Sequence, residues 1–137
     1  MNAIERITSP LVPEPAPGRF SNCLKVGDIV YVSGQTGQDP ATNLVPADGY
    51  AQAQNIFRKL IALVEAAGGA AGDIVKLTVF VTDAAQIPNV GKARAEVFRG
   101  DFPASTLVQV ASLFDPALAI EIECVAHLGA SARQVTP

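Results

Sequence analysis

Apolar residues return at helical spacing at Ile56, Leu60, Leu63, Val64 and Ala67, while Arg58, Lys59 and Glu65 fall elsewhere on the wheel. Asp48 can cap this helix and Gly68-Gly69 ends it, so a helix is predicted from about 48 to 67. Before it, Phe20 to Val26 and Ile29 to Ser33 read as two antiparallel strands joined at Gly27-Asp28, a short turn of the kind that closes hairpins. A Gly-, Pro- and Asn-rich loop, Gly34 to Pro46, connects them to the helix. Ile74 to Val81 is rich in β-branched residues and reads as a strand, and Asp83 to Pro88 leads into a second helix ending near Gly100. Beyond the break at Phe102-Pro103, Thr106 to Ser112 and Leu118 to His127 read as a final hairpin around Phe114-Asp115-Pro116. The predicted order is two strands, helix, strand, helix, two strands, an α+β domain in which two helices cover one face of the sheet.

The other face is the informative one. Ile29, Val30, Tyr31 and Val32 are consecutive, and Phe80 lies opposite the row Val75, Leu77, Val79 and Val81, so these strands are apolar on both sides. A sheet buried on both faces needs a second covering layer, and the chain holds no further helices to supply it. Composition agrees: of 137 residues 49% are hydrophobic and 17% charged, with mean hydropathy +0.28, more apolar surface than a lone domain of this size hides easily. Partner subunits are the economical cover. One domain is expected, with an extended proline-rich arm over 1–17, a core over about 18–128 and a loose tail over 129–137.

Charge and residue counts narrow the chemistry. The formal net charge is −3 with pI about 5.0 and no run of Lys or Arg, which disfavours nucleic-acid binding. No apolar stretch approaches the roughly 20 residues of a membrane span, and Glu5 and Pro10 interrupt the region where a signal peptide is apolar, so the reading is of a soluble cytoplasmic protein without membrane partners. Cys23 and Cys124 are far apart and read as small buried hydrophobes, a disulfide or reactive thiol being the alternative. His127 is the only histidine, which removes His-rich metal sites and disfavours a Ser-His-Asp triad.

Period-two alternation separates the faces of the last strand. Ile120, Ile122, Cys124 and Ala126 share the helix-packed side, so Glu121 and Glu123 project from the other, beside Leu107 and Gln109 if the hairpin pairs in ordinary register. A solvated or salt-bridged pair satisfies this pattern. On a subunit interface, however, at least one carboxylate is buried or lines a wet cavity, where it is paired or functional.

The stretches Val30-Tyr31-Val32-Ser33-Gly34-Gln35, Glu65-Ala66-Ala67-Gly68, Asp73 to Asp83, Phe102-Pro103-Ala104-Ser105-Thr106 and Ile120-Glu121-Ile122-Glu123 together resemble the RidA superfamily, also called the L-PSP endoribonuclease-like family. The resemblance runs in the family's order from about Gly18 to Ala126. It implies a chorismate-mutase-like fold and a homotrimer with a central barrel and small-molecule clefts between neighbouring subunits. It also implies hydrolysis of reactive enamines or imines to a 2-oxo acid and ammonia, with no metal or organic cofactor. Carried over residue by residue, Ser33, Gly34 and Gln35 match the family's Ser-Gly-Gln segment, and Glu121 matches the acid that positions water. Three family features are missing. Ser105 replaces the Arg that clamps the substrate carboxylate, while Leu107 stands for a common cysteine and Phe20 for the cleft Tyr.

A hydroxyl cannot reproduce the two-pronged grip of a guanidinium on a carboxylate, so the resemblance implies a changed ligand. Arg19, next to Phe20, is the sequence's first candidate for a replacement cation; Lys25 and Arg58 are weaker ones. The leading expectation is an enamine or imine deaminase in which Glu121 handles water, Gly34 and Ser105 offer hydrogen bonds, and Phe20 and Leu107 form apolar walls. The alternative is a non-catalytic trimer that binds a metabolite. Ribonuclease action is disfavoured by the acidic charge and the single histidine.

Overall fold

The computed structural model describes residues 2–133. Its strands are β1 (Ile4–Arg6), β2 (Cys23–Val26), β3 (Ile29–Thr36), β4 (Ile74–Val81), β5 (Ala104–Gln109) and β6 (Ile120–His127), and its helices α1 (Gly49–Ala66) and α2 (Ile87–Val97). The strands form one mixed sheet in the order β1-β2-β3-β6-β4-β5, with both helices on one face.

Asp48 caps α1 as expected, its carboxylate accepting from the N–H groups of Tyr50 and Ala51. Gly68, at φ 100, ends it. Along α1, Ile56, Phe57, Leu60, Leu63 and Val64 are fully buried against Val30, Val32, Leu77, Val79, Ile120 and Ile122 of the sheet. Phe98, just past α2, meets Phe57 edge-on at 5.8 Å and so fastens the second helix to the first.

Several sequence expectations change. The strand expected from Phe20 starts at Cys23, leaving Phe20 in the preceding loop, and β3 runs on to Thr36. The arm is extended, but it also contributes β1, which pairs with β2 from Ile4↔Val26 to Arg6↔Leu24, and Val12 enters the core. Part of the stretch read as a loose tail is anchored: the Ser131 N–H and hydroxyl both donate to Asp73, at 2.9 and 2.8 Å. Residues 134–137 of that stretch lie outside the described residues. Val75 leaves its expected row because the register shifts between Ile74 and Lys76, and it points outward.

The largest change concerns the last two strands, which do not form a hairpin. β5 pairs in parallel with β4, the crossover being supplied by α2, and β6 inserts between β3 and β4, antiparallel to both. Glu121 and Glu123 are therefore flanked by Thr36, Phe80 and Thr78, and neither Leu107 nor Gln109 is beside them.

Lys59, placed with the polar residues of α1 by its spacing, is buried. It belongs to a stripe Gln52, Asn55, Lys59 at i, i+3 and i+7, which faces the loop following β3. Gln52 is the knot of that region: its amide donates to the carbonyls of Pro46 (2.9 Å) and Ala117 (3.0 Å) and accepts from the Ala119 N–H (3.0 Å). Asn55 donates to the Gly37 carbonyl at 3.0 Å. Gln52→Leu keeps the volume and strands three backbone groups, so it is expected to lower unfolding free energy by about 1–3 kcal/mol. Urea denaturation at fixed protein concentration, where an unchanged midpoint would contradict the assignment, measures this.

Candidate functional site

The helices leave one face of the sheet open. On it stand Leu24, Tyr31, Val125, Phe80 and Val108 with Glu121, Glu123, Lys76, Thr78 and Thr106 among them, as the registers of β2 to β6 require. Tyr31 is 47% exposed and Val108 41%. Lys76 donates to the Thr106 hydroxyl at 2.7 Å.

A break in pairing shapes the middle of this face. Val32 pairs with Cys124 and Gln35 with Ile122, so Ser33 and Gly34 together oppose the single residue Glu123, a β-bulge. Side chains hold the bulge in place: the Ser33 hydroxyl donates to the Ser21 carbonyl at 2.6 Å, and the buried Gln35 amide donates to the Ser33 carbonyl at 3.1 Å. A Cβ at 34 would overlap the Glu121 carboxyl group where it stands, 2.9 Å from Cδ and 3.0 Å from Cγ, so a side chain there would turn the carboxylate aside. The sequence pair Gly34 and Glu121 is thus one physical unit, a carboxylate laid across bare backbone.

Two depressions flank the bulge, and Phe20, 55% exposed, borders both. One, of about 410 Å³, includes Leu24, Tyr31, Ser33, Glu123 and Val125. The other, of about 180 Å³, is lined by Gly34, Gln35, Asn43, Lys59 and Phe114. A larger cavity of about 440 Å³ lies among Leu11, Phe57, Ile61 and Val97, on the helices and away from the carboxylates. Among the described residues no cluster of His, Cys, Asp and Glu is arranged to hold a metal ion, and no helix is long and apolar enough to cross a membrane.

The other nominated residues stand apart. Ser105 pairs with Leu77 and Leu107 with Val79, which puts both on the helix side of the outermost strand; Leu107 packs on the core there. Glu121 is level with Phe80 on the opposite face, so one chain does not unite Ser105 with Glu121. Arg19 is exposed and borders neither depression, Lys25 sits on β2 opposite Val30, and Arg58 lines the cavity on the helices. Two bordering residues escaped the sequence reading. In the sequence Phe114 reads only as part of a turn and Lys59 only as a residue off the apolar face of α1; its alignment with Gln52 and Asn55 carries the signal.

Burial raises the Glu121 carboxyl above its ordinary pKa of 4.5, and the neighbouring Glu123 carboxylate raises it further. The thiols are silent: burial pushes Cys23 up to about 11 and, with Cys23 and Glu123 close by, Cys124 to about 12, so neither supplies a thiolate at neutral pH.

An α+β chain with a carboxylate set over a glycine bulge on an uncovered sheet face matches a defined class of small proteins. The sequence profile of the family described as Endoribonuclease L-PSP matches residues 12–128. The chain belongs to this family, within the RidA superfamily. It is similar to a 2-iminobutanoate/2-iminopropanoate deaminase of Dermatophagoides farinae, 37% identical over 120 residues that cover 87% of this chain and 92% of the relative. Among solved structures it resembles a protein of unknown function from Pseudomonas aeruginosa, with a TM-score of 0.85, 41% identity and coverage of 94% and 95% of the two chains. Escherichia coli TdcF with bound serine aligns with a TM-score of 0.83 and 32% identity, over 90% of this chain and 98% of that one.

The raised pKa of Glu121 has a signed consequence. Its folded form holds the proton more tightly than the unfolded chain, so the group's contribution to stability is fully present below about pH 4.5 and is lost as pH rises through the folded value. Glu121→Gln, which removes that penalty, is expected to melt higher than the parent at pH 7 and to lose the advantage below pH 4.5. Paired thermal melts across this range check it; a variant less stable at pH 7 would contradict the sign.

Proposed function

We propose that the chain is a cofactor-independent hydrolytic deaminase of a reactive enamine or imine, working as a homotrimer with its ligand in clefts between neighbouring subunits. The observation that carries this reading is the Glu121 carboxylate held across Gly34 on the face the chain itself leaves uncovered. Three copies packing those faces together would bury Tyr31, Phe80 and Val108 and enclose the carboxylates. They would also bring the outer strand of one subunit, with Ser105, toward the bulge of the next. The deaminase names of relatives and the serine bound by a structural neighbour support a small amino-acid-derived ligand.

In the reaction, an enamine first becomes an imine as a proton arrives at carbon and one leaves nitrogen. Water then adds to the sp2 carbon, its oxygen forming the new bond, one of its protons passing to Glu121 and the C=N π pair moving to nitrogen. The same carboxyl returns that proton to nitrogen to give a carbinolamine, then carries the hydroxyl proton to nitrogen as the C=O bond forms, the C–N bond breaks and ammonia leaves. A partly desolvated carboxyl with an elevated pKa suits this exchange, since it holds the transferred proton more strongly than an ordinary surface Glu. Phe20 and Tyr31 give the cleft apolar borders, and the Gly34 backbone, free of a side chain, allows close approach. RNA cleavage is not part of this reading: the charge is −3 and the single histidine, His127, ends β6 far from the bulge.

Ser105 favours a second reading, a trimer that binds a metabolite without turnover, because the expected carboxylate clamp is gone. Ammonia release from a panel of imines separates the two. Turnover that falls at least about 100-fold in Glu121→Gln supports the enzyme, as does a solution mass three times the 14.2 kDa subunit. Tight binding with no turnover supports the alternative, and a monomer at micromolar concentration sinks both.

Ser105→Arg tests specificity directly. Restoring a bidentate contact is expected to raise kcat/KM for the imine of a simple 2-amino acid about 10-fold to 100-fold. Leu107→Cys should accompany it, to free space for the guanidinium. A trimeric double variant with no gain, beside a parent that already turns over such imines well, would make the missing Arg irrelevant to substrate choice.

A further inference from the structure

The polar stripe of α1 contains one side chain whose burial its surroundings do not explain. Gln52 and Asn55 spend their amides on backbone groups. Lys59, one turn further, is only 4% exposed, and its sole hydrogen bond is a long one, 3.5 Å, to the Gln38 amide oxygen. That oxygen already accepts from the Thr36 hydroxyl at 2.6 Å. An ammonium with three donors is therefore left with one stretched contact, in a place where an isolated charge is costly.

Its surroundings offer no direct counter-charge. Asp39 is the acid whose charge acts on it, but the two form no ion pair; Asp39 Oδ1 serves the turn, accepting from the Ala41 and Thr42 N–H groups at 2.7 and 3.2 Å. Among the described residues that line the 180 Å³ depression, Lys59 is the one charged group; around it are Phe20, Gly34, Gln35, Asn43 and Phe114. Lys59 thus lines a small open space that Gly34 also lines, and the Glu121 carboxylate lies against that same glycine.

The geometry points to Lys59 as the group that binds the anionic end of the ligand, a small carboxylate held in this depression while the reacting carbon stands over Gly34 beside Glu121. The inference rests on the deaminase reading above and names the residue that holds the substrate carboxylate without the Arg that Ser105 displaces. A space of about 180 Å³ fits one functional group rather than a whole metabolite, as a subsite of a larger cleft does. A bound carboxylate would supply the charge that Lys59 lacks, and burial makes such a pairing count for more than it would at the surface. Burial alone has the opposite effect on the empty site, lowering the amine to about 8 and leaving it partly unprotonated in mild alkali.

Titration calorimetry with 2-oxobutanoate and its uncharged amide, 2-oxobutanamide, tests the inference on the intact oligomer. The parent is expected to prefer the acid, and Lys59→Met to lose about 10-fold or more in affinity for the acid while changing less than about 2-fold for the amide. Because Lys59→Met removes a poorly paired buried charge, its melting temperature is expected to equal or exceed the parent's, which a residue kept for structure would not give. Lys59→Gln, polar and neutral, serves as a second variant with the same expected loss. Absence of an acid preference in the parent, retention of that preference in either variant, or failure of both variants to fold overturns the assignment. The two readings fail separately: imine hydrolysis that survives Lys59→Met unchanged in KM defeats only the anion site, whereas an acid preference lost in Lys59→Met beside hydrolysis indifferent to Glu121→Gln defeats only the deaminase.

Discussion

The molecule depends on a shortage of cover. Two helices and one six-stranded sheet can bury a single sheet face, and α1 does most of that work through Ile56, Phe57, Leu60, Leu63 and Val64. The second face carries Tyr31, Phe80, Val108 and Val125, and no helix among the described residues lies on them. Its ionisable groups are concentrated in the middle, on β6, where an uncovered face can be wet and a covered one dry. Whether Glu121 is an ordinary surface carboxylate or a tuned one follows from how that face is closed, so assembly and chemistry are a single problem here.

β6 occupies the decisive place in the sheet. Because it lies between β3 and β4, its alternation sends Ile120, Ile122, Cys124 and Ala126 into the core and holds Glu121 and Glu123 rigidly between two neighbours. The bulge on β3 adds what regular pairing cannot, a stretch of backbone without a side chain directly beneath a carboxylate. A regular ladder would have put a Cβ there. The stripe on α1 then fixes the loop that follows, so the borders of the site are set by core contacts and not by loop conformation alone.

The faces of β3, β4 and β6 were legible in the sequence because period-two alternation is local, and α1 was legible because its apolar spacing and the Asp48 cap agree. Strand order was not. A parallel partner for β5 and an inserted β6 follow from packing a crossover helix between distant segments, which residues 104–127 do not record, and so Leu107 and Gln109 were wrongly set beside the carboxylates. Family resemblance supplied Gly34 and Glu121 as separate motifs; their contact needed coordinates. Lys59 was missed for a simple physical reason: charge argues for solvent until a polar helical stripe is recognised as facing a loop.

Cys23 and Cys124 have a bearing on how the molecule opens. They sit on the core side of β2 and β6, with β3 between them, where Val32 is the cross-strand partner of both. A reagent that attacks thiolates meets neither sulfur until the sheet parts from α1 or the strands separate, since both the ionisation and the access are suppressed in the closed form. One sulfur lies near the edge completed by the N-terminal strand and the other at the centre, between β3 and β4. Their alkylation rates therefore clock two distinct breathing motions, fraying of the edge and rupture of the middle, and the chain carries its own pair of stopwatches for local unfolding.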